Sequence, residues 1–319
     1  MITTFTANPS VDRSASLAAE LTRGAVLRLG DVHDDPGGKG VNVARVVTLA
    51  GVPATAVLPM GGADPLRALL EAAGVRHEEH TTDHPVRTNL TITEPDGTTT
   101  KLNERGAELT PDDVTALEEL LLRHAADARW VALCGSLPPG APLDWYARLV
   151  PLLRETGARV AVDTSDAPLA ALADHFPGAA PDLLKPNAEE LTQLGGGDPE
   201  ELEAAAAAGD LGPTADAARR LLDRGVGAVL TTLGGSGALL STEAGAWFAA
   251  APAITVRSTV GAGDSALSGY LLGTLRDLPE PDRVALAVAY GSAAAQLPGT
   301  GLPAPEHVDL AAVRTTVTA

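Results

Sequence analysis

Residues 129–164 read "RWVALCGSLPPGAPLDWYARLVPLLRETGARVAVDT", and this stretch decides the fold class. It opens on a β-like run, "RWVALCG", and closes on another, "ARVAVDT", with a helical segment over Pro142–Thr156 between them. A proline near the first helical turn is tolerated, because its missing N–H would have no partner there anyway. Strand, helix, strand is the repeating unit of a parallel sheet. The alternation continues outward in both directions. "ITTFT" and "ATAVLPM" lie upstream, "DLLKP" and "GAVLTTL" downstream, and Pro111–Ala126 and Thr214–Arg224 supply further helices. Almost the whole chain fits, so the expectation is a single α/β domain over residues 1–319.

Two stretches break the rhythm. "VRTNLTITEPDGTTTKLNERG" places β-like runs on both sides of a Pro-Asp-Gly turn, which predicts an antiparallel hairpin. "SASLAAELTRGAVLRLGDVHDDPGGKG" shows no clear helix before its glycines. Together, segments of about 13–35 and 86–106 are expected to form a small sheet outside the main one. The stretch "GGGDPEELEAAAAAGDLGPTAD" is low in complexity and reads as a surface excursion without chemistry.

Composition narrows the function. The 319 residues suffice to bury a substantial core. With 23 Lys plus Arg against 41 Asp plus Glu, the formal net charge is −18. Such a chain is a poor binder of nucleic acid or anionic membrane, so any anionic ligand must be met by a few local cations and backbone amides. The single cysteine, Cys134, excludes an internal disulfide framework and a multi-cysteine zinc site. The N-terminal "MITTFTANPS" has no basic or apolar leader pattern, which predicts a cytoplasmic protein. Only three of the basic residues are lysines: Lys39, Lys101 and Lys185. In a chain that otherwise uses arginine, a retained lysine points to a place where a compact ammonium is hard to replace.

In an α/β fold several glycine-rich turns lead toward one crevice edge, and each also has a purely structural reading. "STVGAGDSALSGYLLG" (258–273) can expose the N–H groups of Gly261, Ala262 and Gly263 at a helix start, a ready anion site, while Asp264 is either a helix cap or a chemical group. "PGGKGVNVARVVTLAG" puts Gly37, Gly38 and Lys39 before a helix with Asn42 in its first turn; this is an ordinary tight turn or a site for hydroxyls or an anion. It is not a P-loop, whose spacing is absent. Asp12 in "TANPSVDR" follows the first strand, where open α/β sheets bind ligands. "LCGSLPPG" can aim Ser136 at the same crevice, without the pattern of a nucleophile elbow. "TTLGGSGALL" is a plain hairpin or a turn over which a purine or phosphate passes. The seven histidines show no metal-ligand spacing and read as solvated positions.

Taken together, "GGKGVNVAR" and "TVGAGDSALSGY" resemble the two signatures of the phosphofructokinase-B family of ribokinase-like sugar kinases. "LCGSLPPG", "VDTSD", "LLKPNAEEL" and "TTLGGSGALL" fall between them in the family's order. Within the family, "NPSVD", "VRTN" and "TKLNERGAEL" look most like the 1-phosphofructokinases, with tagatose-6-phosphate kinases close behind and 6-phosphofructokinases as a further alternative. A non-catalytic sugar-phosphate or nucleotide sensor on the same scaffold would be expected to lack Asp264.

The resemblance implies a three-layer α/β/α fold with a mainly parallel Rossmann-like sheet and a β-sheet lid that often dimerises. It implies ATP and Mg²⁺ as cofactors and a phosphorylated hexose as substrate, fructose 1-phosphate first. Asp264 would be the general base, with Gly261, Ala262 and Gly263 as the anion hole. Asp12, Gly37, Gly38, Lys39, Asn42 and Ser136 would bind the sugar, and Arg87 its existing phosphate. Relatives with a phosphosugar usually read Thr-Arg where this chain has Val86-Arg87. Lys185, Asn187, Thr232, Gly234 and Gly237 would meet the nucleotide. Asn187 and Glu190 would act on magnesium through water.

Overall fold

The chain opens with β1 (Ile2–Phe5) and β2 (Ser10–Ser16), and a long exposed connection leads to β3 (Val32–Gly37) and α1 (Lys39–Leu49). Next come β4 (Ala54–Gly61), α2 (Pro65–Ala72), β5 (His77–Thr82), and the hairpin of β6 (Arg87–Thr93) and β7 (Thr99–Asn103). They are followed by α3 (Pro111–Ala125), β8 (Trp130–Cys134), α4 (Trp145–Glu155), β9 (Arg159–Asp163), α5 (Asp166–Asp174) and the two-residue β10 (Leu183–Leu184). The rest is α6 (Ala188–Gly195), α7 (Pro199–Ala207), α8 (Gly212–Leu222), β11 (Ala228–Thr232), β12 (Gly237–Thr242), β13 (Gly245–Ala250), α9 (Ala262–Leu275), α10 (Glu280–Ala295) and β14 (Arg314–Thr318). This computed structural model describes residues 1–318; Ala319, the end of the expected domain, lies outside the described residues.

The main sheet has the order β14-β13-β12-β11-β10-β9-β8-β1-β4-β5. From β11 to β5 every pairing is parallel, and β12, β13 and β14 add an antiparallel edge. The central strands are apolar along their length because helices cover both faces. One face packs Val131, Leu133, Val160 and Val162 against α3, α4, α6 and α8 through Leu117, Leu149, Leu191 and Leu221. The other packs Ile2, Leu58 and Leu230 against α1, α9 and α10 through Val43, Val47, Leu271 and Ala287. Helix α9 is buried on nearly every side, which is why its sequence is apolar all round rather than amphipathic.

The interrupting stretches form a second sheet, β3-β2-β6-β7, in which β6 and β7 make the expected antiparallel hairpin. Three expectations shift. The helix anticipated over Pro142–Thr156 begins at Trp145, because the Pro142 carbonyl closes a turn on the Trp145 N–H. The low-complexity segment folds as α7, burying Leu202 and Ala206 against the core. The histidines on β5 and α3 are half-buried rather than solvated: His80 Nε2 lies 2.7 Å from Asp113 Oδ1, and His124 Nε2 lies 3.7 Å from Glu78 Oε2. Among the described residues no helix is long and apolar enough to cross a membrane.

Candidate active site

Strands β1, β8, β9, β10 and β11 are parallel, so their C-terminal ends open on one edge, the usual ligand side of such a sheet. Each end delivers a polar group: Asn8 and Asp12 after β1, Ser136 after β8, Asp163 closing β9, Lys185 after β10 and Thr232 closing β11. The starts of α1 and α9 meet there too. Asn42 Nδ2, in the first turn of α1, donates to Asp264 Oδ2 at 2.8 Å.

Asp264 stands in the first turn of α9 at 6% exposure. Burial, reinforced by the nearby negative charge of Asp163, pushes its pKa up to about 6 against the opposing pull of Lys39, Asn42 and Lys185. Gly261 caps the helix in the left-handed region at φ 74°, which a glycine adopts without strain. The Ala262 N–H closes a long turn on the Thr259 carbonyl at 3.4 Å. Among the described residues the N–H groups of Gly261, Gly263 and Asp264 have no hydrogen-bond acceptor, so they are free for an anion.

Beneath them lies a charged triplet. Lys39 Nζ donates to Asp163 Oδ1 at 2.8 Å. Lys185 Nζ lies 3.1 Å from Asp163 Oδ2, off the axis of a hydrogen bond, so that attraction is ionic. Burial opposes the charge on Asp163, but Lys185 and Lys39 outweigh it and hold the carboxyl below its usual range. Asp163 in turn raises the pKa of Lys39. Cys134, paired in register with Asp163, is fully buried, and burial pushes its thiol up, so it is a packing residue here and not a nucleophile.

To one side, Asp12 Oδ1 accepts from Ser10 Oγ at 2.7 Å and from Asn89 Nδ2 at 3.0 Å. Gly37 runs against this carboxylate so closely that a Cβ there would overlap it. Arg87 donates from Nη1 to the Glu104 carbonyl and from Nη2 to the Asn8 carbonyl, each at 3.1 Å, and among the described residues no carboxylate bridges it. Burial lowers its pKa, and among the described residues its Nε is buried without a partner. Asn8 Nδ2 holds the Arg105 carbonyl at 3.0 Å and reaches Ser136 Oγ at 3.4 Å. Arg87 shares a small cavity with Asn8, Met60, His84 and Pro138.

To the other side runs a groove of about 910 Å³. Thr232, Gly234 and Gly237 line it, as do Asn187, Ala251, Ile254, Val256, Gly263 and Ser292. Its size and largely apolar, small-residue lining suit a nucleotide-sized ligand. Asn187 bridges to Thr232, tying two strand ends together. Asn187 and Glu190 lock one another as the N-terminal cap of α6: Glu190 N–H donates to Asn187 Oδ1 at 2.8 Å and Asn187 N–H to Glu190 Oε2 at 2.9 Å. Burial raises the Glu190 pKa. The segment expected to be remote from any chemistry instead supplies a wall of this groove through Pro199, Glu200 and Glu203. Helix α7 folds back onto the turn after β11, a placement no local pattern discloses.

The structure thus brings Asp264, Asn42, Lys39 and Lys185 together at the centre. Asp12, Gly37, Arg87 and Ser136 lie on one side, and Asn187, Thr232, Gly234 and Gly237 on the other. Gly38 lies at the start of α1, packed against Thr6 and Pro9. Lys101 is exposed on β7. Sequence reasoning did not single out Asp163, Asn8 or Asn89. For Asp163 a signal existed: it is a lone carboxylate ending an apolar run, "RVAVD", at the same sheet edge as the other candidates.

A model of the pfkB family of carbohydrate kinases matches residues 6–307. The chain is 37% identical to a 1-phosphofructokinase of Rhodobacter capsulatus over 99% of its own length and 96% of that protein. It is 34% identical to a 1-phosphofructokinase of Haloferax volcanii, covering 99% and 100% of the two. Its structure resembles phosphofructokinase-2 of Escherichia coli solved with substrates and products, with a TM-score of 0.84, 30% identity and 96% of both chains covered.

Proposed function

The chain belongs to the pfkB family of carbohydrate kinases, and from that membership we propose that it moves the γ-phosphoryl group of ATP to the C6 hydroxyl of fructose 1-phosphate, giving fructose 1,6-bisphosphate and ADP. It is an ATP-dependent sugar kinase. Fructose 1-phosphate is preferred as acceptor because the relatives at 34–37% identity are named for it.

The observation that carries the reading is Asp264, a buried carboxylate with a pKa of about 6 between the Asp12–Arg87 side and the nucleotide-sized groove. In the proposed step the acceptor hydroxyl attacks in line and its proton passes to Asp264, which is ionised above pH 6 and held in orientation by Asn42. Negative charge on the transferred group is met by the free N–H groups of Gly261 and Gly263 and by Lys39 and Lys185, the electrostatic effect expected to dominate phosphoryl transfer. Arg87, half-buried, donates to the carbonyls of Asn8 and Glu104 and among the described residues forms no ion pair with a carboxylate, which leaves its guanidinium open to the phosphate already on the sugar. Asp12, fixed by Ser10 and Asn89, presents its other oxygen to sugar hydroxyls.

Magnesium fits this edge. Among the described residues Glu190 Oε1 accepts no hydrogen bond, and a single carboxylate with water and substrate phosphates is the customary donor set for the ion. Held through water by Asn187 and Glu190, magnesium would supply positive charge to neutralise the phosphates during transfer. Residues 1–318 are proposed to act as one kinase unit, with the β3-β2-β6-β7 sheet as its lid. The lid segments expose Leu21, Leu27, Leu29, Val32 and Leu102, which supports pairing of two copies through them.

The test is an ADP-release assay with fructose 1-phosphate, fructose 6-phosphate, tagatose 6-phosphate, ribose and adenosine. Fructose 1-phosphate should show the highest kcat/KM. A higher value for another phosphosugar reassigns the substrate, and no ADP release with any of them overturns the kinase reading in favour of a sensor.

A further inference from the structure

Asp163 takes no part in the reaction outlined above, yet it is the most deeply placed charge in the crevice, at 1% exposure. Burying a carboxylate is costly unless it is paired. Here two cations pair it, and they come from different layers of the fold: Lys39 from the first turn of α1, and Lys185 from the residue after β10. A lysine ammonium rides on a flexible four-carbon stem, so a defined position requires an anchor. It also carries three donors. Lys39 uses one on Asp163 Oδ1, and Lys185 sits against Oδ2 without an aligned bond, so donors on both remain available. A Cβ built at Gly263 would come within 3.4 Å of Lys185 Nζ, which places that ammonium beside the free N–H groups of α9.

We propose that Asp163 is a positioning residue for phosphoryl transfer: its one buried carboxylate yokes the ammonium groups of Lys39 and Lys185 together at the start of α9, so that two cations meet the transferred group in a fixed arrangement. The proposal rests on the reading of this crevice as the kinase site. The charged groups facing Asp163 are Lys39 on α1, Lys185 after β10, Asp264 on α9 and Glu190 on α6, with the Cys134 thiol on β8. Its negative charge also works against ionisation of Asp264. Removing that charge therefore makes Asp264 easier to ionise, which is read in the pH–rate profile, whereas loss of the yoke is read in kcat at an unchanged KM for the sugar.

The experiment compares the full-length protein with Asp163→Asn, Lys39→Met, Lys185→Met and the double variant Asp163→Asn/Lys185→Met, using ATP and fructose 1-phosphate. Asp163→Asn should lower kcat by about 10²-fold, the loss typical of a misplaced electrostatic clamp. The KM for fructose 1-phosphate should stay unchanged, since Asp12 and Arg87 are untouched. The acid limb of its pH–rate profile should move about one unit or more toward lower pH. Because Asp163 acts through the lysines, the loss in the double variant should be smaller than the product of the losses in Asp163→Asn and Lys185→Met. It also leaves one fewer buried charge unpaired, should Asp163→Asn fold poorly. Wild-type kcat and pH profile in Asp163→Asn, with Lys39→Met and Lys185→Met both impaired, overturns the proposal alone, as do losses that multiply in the double variant. Full activity in both lysine variants instead overturns the reading of these lysines as phosphoryl-site cations, and the proposal with it.

Discussion

At pH 8 Asp264 carries its charge inside the protein, at 6% exposure and close to a second carboxylate. Its pKa of about 6 against an ordinary 3.8 means that ionisation is harder by roughly two units. At about 1.4 kcal/mol per unit, the ionised group costs the folded state on the order of 3 kcal/mol. The pH dependence has a definite sign. Below pH 3.8 the group is neutral whether the chain is folded or not, and the cost is absent. Between 3.8 and 6 the unfolded chain ionises first, so this contribution to stability falls as pH rises; above 6 the full cost applies. Asparagine has the same shape, keeps an oxygen for the Asn42 donor and carries no charge. Asp264→Asn should therefore melt about 6 °C higher at pH 8, taking roughly 2 °C per kcal/mol for a chain of this size. The gain should shrink toward zero at pH 4. The same variant should lose about 10²–10⁴-fold in kcat, as expected for removal of a positioned base, while retaining substrate affinity. Thermal unfolding at the two pH values, beside steady-state kinetics, checks both halves. A lower melting temperature at pH 8, or a gain that persists at pH 4, refutes the burial argument; unchanged turnover refutes the role as base.

Three further outcomes follow from the same geometry. The kcat/KM of the unmodified protein should fall about tenfold per pH unit below an apparent pKa near 6, as Asp264 takes up its proton; a profile flat to pH 5 refutes this. Arg87→Ala should raise the KM for fructose 1-phosphate by about 10–100-fold, the worth of a charge-assisted hydrogen bond pair, and leave that for ATP alone; an unaltered sugar KM removes Arg87 from the phosphate. Gly37→Ala forces a Cβ into the Asp12 carboxylate and should weaken sugar binding by about 1–3 kcal/mol of overpacking, read as a raised KM for the sugar only. Wild-type kinetics in that variant would mean that Asp12 has room to move.

Features that depend on neighbouring residues were open to reading from the chain alone. The strands "RWVALC" and "RVAVD" announce themselves by unbroken apolar runs, and the β6–β7 hairpin by its Pro-Asp-Gly turn, because burial on two faces and turn geometry are local demands. The helix starts carrying Lys39 and Asp264 were visible for the same reason: glycines ahead of a helix leave N–H groups free whatever surrounds them. The Asn187–Glu190 cap likewise spans a single turn.

Whether Asp264 is only a cap was beyond local reading. That depends on its depth, on Asn42 reaching it across 222 positions of sequence, and on Asp163 raising its pKa. Asp163 itself looks like any strand-ending carboxylate until the parallel order β8-β9-β10 sets it between Lys39 and Lys185. Helix α7, bland in composition, becomes a groove wall only because the chain folds back over the β11 turn. Periodicity and turn chemistry act over a few residues, so the sequence by itself determined the elements and the helix starts. Charge burial and ion pairing act through space between distant segments, so only the tertiary structure decided which of those groups share a site and what their protons do there.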